Sequence, residues 1–137
     1  MIKIDWKGDI AFQATAPDGT SFVMDGGSET GRPPQGVSPM EALLAAAGVC
    51  SAIDVIMILQ KKRQQVSSYR IEVDGERPAK GTFPRPFTTM TVRHIVSGPK
   101  VDPAAVEQAV RLSDDKYCSV IATIRSAPKI TSEWRIE

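Results

Sequence analysis

One stretch limits what this chain can become. Residues 38–65 open on Ser38, Pro39 and Glu41 and continue as EALLAAAGVCSAIDVIMILQKKRQQ. The serine can bond the amide three residues on, proline suits the first helical position, and the glutamate reaches back, which is a capping box. From 42 to 59 only Ser51 and Asp54 are clearly polar, and the apolar side chains fall on every side of the helix they predict. A helix apolar all round is a buried helix. Its roughly 26 residues would span about 39 Å, against a radius of gyration near 14 Å, roughly, for a domain of this length. About six short strands and little other helix cannot wrap it, so a second copy is expected to complete the cover, giving a homodimer.

The same run just reaches the roughly 18 residues at which a membrane span is considered. Asp54 near its centre, Glu41 at its edge and several alanines argue against that, as does the strand-rich remainder. Neither a membrane nor a nucleic acid is expected as a partner: 24% charged residues, 42% hydrophobic ones and a net charge of +1 leave no basic footprint and no excess typical of disorder. Lys61, Lys62 and Arg63 complement the negative end of the helix dipole. The opening MIKIDWKGDIAF alternates instead of running from a basic to an apolar segment, so it does not read as a signal peptide, and a cytoplasmic location is the expectation. Two cysteines and one histidine cannot fill a zinc site of the usual kinds, so neither metal nor cofactor is expected.

Taken in order, residues 2–26 read as a three-stranded meander broken at Gly8-Asp9 and Asp18-Gly19, with Ile10, Phe12, Ala14, Phe22 and Met24 predicted to face inward. Residues 26–37 are a glycine- and proline-rich loop. After the long helix comes a strand in which Tyr69, Ile71 and Val73 share a face. A second strand, after the loop KGTFPRP, places Met90, Val92, His94 and Val96 on one side. His94 thus sits among apolar neighbours, as a core or interface histidine with one hydrogen bond, the alternative being an acid/base role. Asp102-Pro103 opens an amphipathic helix that gives out near Ser113, a short helix begins around Cys118 and stops at Pro128, and KITSEWRIE is a final strand. Helices do not alternate regularly with strands, so residues 1–137 read as one α+β domain.

Cys118 falls at a helix amino terminus with Lys116 close by, where amide dipoles favour a thiolate. Cys50 lies inside the long helix, and Asp54, one turn on, would oppose its ionisation if charged. An activating cation must come from elsewhere, and Arg32, Arg85 and Arg93 are the candidates. The alternative is that both cysteines are small buried hydrophobes.

The run GVSPMEALLAAAGVCSAIDV followed far downstream by KYCSV resembles the OsmC/Ohr family, the osmotically induced and organic hydroperoxide resistance proteins, and within it the short OsmC-like subgroup. The segments ERP, PRPFT and IVSG are similar too, so the resemblance covers the chain from Trp6 onward. It implies an α+β, OsmC-like intertwined homodimer in which curled sheets wrap two long central helices. It implies a thiol-dependent peroxidase for organic hydroperoxides in oxidative-stress defence, with Cys50 peroxidatic and Cys118 resolving. It also implies a dithiol reductant, in the characterised members a lipoyl-carrying protein. Those members activate the thiol with an arginine from the amino-terminal strands and a glutamate ten residues before it. Here that position is Met40, with Glu41 one residue closer, and no arginine precedes Arg32. The residues left to tune the thiol are Glu41, Asp54, Arg32 and Arg85. The alternative reading is a non-enzymatic dimer of the same fold that binds a small apolar ligand or senses oxidants.

Overall fold

The computed structural model describes residues 1–27 and 31–136. The chain divides into two compact units, Met1–Ala45 and Ala46–Glu137. The first holds an antiparallel sheet in the order β1 (Lys3–Trp6), β2 (Ala11–Thr15), β3 (Ser21–Asp25). Gly8 and Asp9 take positive φ angles of 95° and 51° to turn β1 into β2. At the second turn Gly19, φ 90°, adopts the left-handed conformation that suits glycine, while the Asp18 carboxylate accepts from the Thr20 amide at 2.9 Å.

The register sets Trp6, Phe12 and Met24 side by side, and likewise Ile4, Ala14 and Phe22, so the predicted alternation holds. Its predicted inward packing does not. Phe12 is 42% and Phe22 55% exposed, and of the five residues predicted to face inward only Ala14 is buried. A ribbon of three short strands has two faces and little else in its unit to cover them. Of the loop at 26–37, Ser28, Glu29 and Thr30 lie outside the described residues; at its end Val37 accepts a bond from the Asp25 amide at 3.0 Å.

Helix α1 (Pro39–Lys61) starts as its sequence demands: the Ser38 amide donates to Glu41 Oε2 at 2.7 Å and the Glu41 amide to Ser38 Oγ at 3.3 Å. It ends four residues before the expected 65. The Gln64 amide bonds the Leu59 carbonyl and the Arg63 amide that of Gln60, a Schellman closure with Arg63 at φ 54° where glycine is usual. Nor is α1 buried all round. Ala47, Ser51, Val55 and Leu59 form one covered stripe, while Val49, Ile53 and Met57, also four apart, stay at least half exposed.

In the second unit β4 (Ser68–Glu76) pairs with β5 (Thr89–Ser97) so that Tyr69, Ile71 and Val73 face Val96, His94 and Val92. Gly48 permits α1 to approach this hairpin closely: a Cβ there would lie 2.6 Å from Val73 Cγ2. Helix α2 (Pro103–Leu112), capped by Asp102 on the Ala104 amide, packs Ala105 and Ala109 against Val55 and Leu59 to make the core. Val55 and Leu59, both fully buried there, contribute about 1.5–3 kcal/mol each. A π-turn, Ser113–Tyr117, leads to α3 (Ser119–Ser126), which stops at Ala127, φ 45°, before Pro128. The last predicted strand does not form over 129–136, and Glu137 lies outside the described residues. Strands need a ladder to join, and Ile130, Trp134 and Ile136 are left more than four-fifths exposed. Five strands among the described residues, with three α-helices, keep the α+β class.

Candidate functional site

Cys50 and Cys118 meet in the second unit. Both are free thiols, Cys118 buried and Cys50 half-buried. Cys118 is the N-cap of α3, as the sequence suggests, with its own amide donating to the Ser113 carbonyl across the π-turn at 2.9 Å. Its acidity runs opposite to the expectation from the helix terminus. Burial pushes the thiol above its ordinary value, and its hydrogen bond and charge interaction with Cys50 push the same way. The amides of Ile121 and Val120 pull it down and lose. Loss of water therefore outweighs the terminal dipole here. Lys116 lies 5.4 Å from the centre of the Tyr117 ring, a cation–π contact.

The cationic candidates are engaged. Arg32 holds the buried Asp25 with two guanidinium nitrogens, at 2.7 and 3.1 Å, and Asp9 with a third at 2.8 Å. Arg32, with help from the Gln35 amide, keeps the Asp25 carboxyl below the usual carboxylate range, and the guanidinium's own pKa is raised in return. Arg85 donates from Nε to the Pro78 carbonyl at 2.9 Å while Arg77 donates to the Arg85 carbonyl at 2.8 Å, so the loop after β4 is fastened reciprocally. Arg93 pairs with Asp74 on the surface. Glu41 is spent on the helix cap, and that cap holds its pKa down.

Asp54 belongs to an arrangement that the sequence reading did not assemble. Its Oδ2 accepts from Ser113 Oγ at 3.0 Å, Ser113 Oγ meets Ser51 Oγ at 3.0 Å, and Ser51 Oγ lies 3.4 Å from His94 Nε2. On the far side of the ring Nδ1 meets the Tyr69 hydroxyl at 2.6 Å. Both serines are fully buried, so these bonds are what makes their burial tolerable. Burial lowers the His94 pKa, with Asp114 pulling the other way, and raises that of Tyr69. His94 thus has a partner on each nitrogen, one more than expected.

His94 also lines a cavity of about 210 Å³ with Ala47, Met90, Val92 and Ile121, and with Asp114 and Arg125 supplying its remaining polar groups. Arg125 is steadied by the Asp114 carbonyl at 2.9 Å. The signal for Ser51 was present in the sequence, since it and Asp54 are the two polar residues in the apolar run, three apart on one face. Nothing local marked Ser113, Tyr69 or Asp114.

The OsmC-like protein family model matches residues 30–133. Protein YhfA of Escherichia coli K12 is 40% identical over 134 residues, covering 98% of this chain and 96% of that protein. Among solved structures, an OsmC-like protein of unknown function from Vibrio cholerae superposes with a TM-score of 0.71 at 18% identity, over 90% and 91% of the two chains. The organic hydroperoxide resistance protein OhrB of Bacillus subtilis does so at 0.54 and 18% identity, over 90% of each chain, a likeness of fold alone. The family model and YhfA together place this chain in the OsmC-like family.

Proposed function

We propose that the chain is a thiol peroxidase that reduces organic hydroperoxides in oxidative-stress defence, with Cys50 attacking and Cys118 resolving. The observation that carries this reading is the contact between the two thiols, one half-buried and one buried, on separate helices. Attack of the Cys50 thiolate on the peroxide forms a sulfenic acid and releases the alcohol. The Cys118 thiol then displaces the hydroxyl as water and closes a disulfide before further oxidation. A buried, protonated Cys118 suits the second role, because it does not compete for peroxide. The names of the hydroperoxide resistance proteins that share the fold point to the same substrate class. A dithiol, such as a lipoyl protein, would reopen the disulfide, and the cytoplasm is the compartment that keeps such a pair reduced.

The assembly that fits is a homodimer. Val49, Ile53 and Met57 on α1, the Trp6 and Phe22 face of the sheet, and the unpaired segment 129–136 are apolar surfaces that a second copy would cover.

Free-thiol counting on the reduced protein before and after one equivalent of cumene hydroperoxide tests the proposal. Two thiols per chain should vanish together, Cys50→Ser should lose none, and Cys118→Ser should stop at the sulfenic acid with one equivalent and go on to the sulfinic acid when a second is added. Light scattering on the same samples should return twice the 14.8 kDa chain mass. Loss of thiols in Cys50→Ser at the wild-type rate would end this reading. A second reading, a dimer that binds a small ligand, is favoured by the His94 cavity and by the prior commitment of Arg32, Arg85 and Arg93. Unchanged thiols would select it.

A further inference from the structure

The buried polar row has a direction. Ser113 gives its only hydroxyl hydrogen to Asp54, so toward Ser51 it can only accept. Ser51 has then spent its hydrogen as well, and must accept from His94. His94 is therefore the tautomer protonated at Nε2, and its Nδ1 lone pair receives the Tyr69 hydroxyl hydrogen. Every donor points the same way, from Tyr69 to Asp54.

The two ends open on different surroundings. At one, His94 lines the cavity of about 210 Å³ and two more open clefts beside β5 and α2. At the other, Asp54 lines a separate cleft with Met57, Ile58, Lys61, Leu112 and Tyr117. Asp54 is one helical turn beyond Cys50, and Tyr117 immediately precedes Cys118. Two buried hydroxyls thus connect an imidazole at a cavity wall with a carboxylate on the thiols' side of α1. A network that only glued α1 to the π-turn would not need to continue to an imidazole at a cavity wall.

Resting on the peroxidase reading, we propose that the row His94–Ser51–Ser113–Asp54 delivers the proton that peroxide reduction consumes. When the Cys50 sulfur attacks the terminal oxygen of ROOH, the S–O bond forms, the O–O bond breaks, and the electron pair leaves on RO⁻. Protonation of that alkoxide completes Cys–S⁻ + ROOH + H⁺ → Cys–SOH + ROH. Tyr69 passes its hydroxyl hydrogen to His94 Nδ1 and takes another from water, and His94 passes its Nε2 hydrogen to Ser51. Ser51 passes its own to Ser113, and Ser113 passes its own to Asp54. The neutral Asp54 carboxyl gives that proton to the alkoxide, and the ring returns to the Nε2 tautomer before the next turnover. Asp54 is the terminal donor, and His94 acts through the serines.

The test separates proton delivery from thiol reactivity. Alkylation of Cys50 by iodoacetamide needs the thiolate but consumes no proton, so it serves as the internal control for single-turnover oxidation by cumene hydroperoxide. Ser113→Ala and His94→Gln should slow the peroxide step by about 10- to 100-fold while leaving alkylation within about twofold. In deuterated water the wild-type protein should slow by about twofold or more in the peroxide step and not in alkylation. The isotope comparison needs no variant, so it decides the matter if either substitution prevents folding. Peroxide rates in the variants equal to wild type, a parallel fall in both reactions, or the same isotope effect on both would overturn the relay and leave the peroxidase reading standing. A wild-type protein that consumes no hydroperoxide would overturn both.

Discussion

Replacing Gly48 by alanine tests how closely the long helix lies against the hairpin, and the distances give the size of the effect. The added Cβ would sit 2.6 Å from Val73 Cγ2 and 3.2 Å from Ile71 Cγ2. Carbon atoms in contact prefer about 3.5–4.0 Å, so about 1 Å of room has to be found. Valine cannot supply it by a small rotation, because two methyls on Cβ leave it few rotamers. Overpacking of this kind costs about 2–3 kcal/mol. Alanine recovers about 1 kcal/mol of helix propensity. A net loss of about 1–2 kcal/mol remains, read as an earlier urea midpoint at fixed protein concentration with an unchanged slope. Val73→Ala should cost less in the Gly48→Ala background than in wild type, since the cavity it leaves takes up the new methyl. Gly48 lies two residues before Cys50, so the displaced helix should also slow closure of the proposed Cys50–Cys118 disulfide. A Gly48→Ala protein as stable as wild type would refute the reasoning, because propensity would then be acting unopposed.

Two further outcomes follow from local geometry. Arg63 holds a left-handed conformation at φ 54° to close α1, and Arg63→Gly should stabilise the fold by about 0.5–1 kcal/mol in the same urea assay, whereas a loss would show that its side chain matters more than its backbone. The His94 imidazole, held below its ordinary pKa of 6.5 by burial, leaves the unfolded chain to bind the proton first on acidification. Unfolding free energy should therefore fall as pH drops below about 6.5 and level off only once the folded ring titrates, and His94→Gln should flatten that part of the curve; an identical decline in the variant would remove His94 as its source.

The start of α1, the hairpin turns, the α2 cap and the placing of His94 on the apolar face were all legible, because each is decided by residues within a few positions of one another. The helix stop was not, since its signal is a backbone angle carried by arginine instead of glycine. The Ser51 and Asp54 pair stood out against its apolar run, but what it does depends on Ser113, roughly sixty residues further on. Arg32 was readable as a cation and not as the partner of Asp9 and Asp25, because loop and strand ends bring those together. Cys118 was placed correctly at a helix terminus and still misjudged in acidity, since burial is a property of the packed chain. The alternation of KITSEWRIE is a strand pattern, yet it joins no ladder over 129–136, because alternation alone does not supply a partner strand.

The π-turn has a consequence for how relatives of this chain should be aligned. Between the Ser113 carbonyl and the Cys118 amide it holds one residue more than an α-helical turn would. Deleting a single residue from 115–117 would keep every serine, cysteine, histidine and aspartate of the site, yet swing Cys118 through about 100° relative to Ser113. A relative can therefore match at every position of the polar row and the thiol pair and still have the two out of phase. For this family the spacing between those residues carries as much chemical information as their identity.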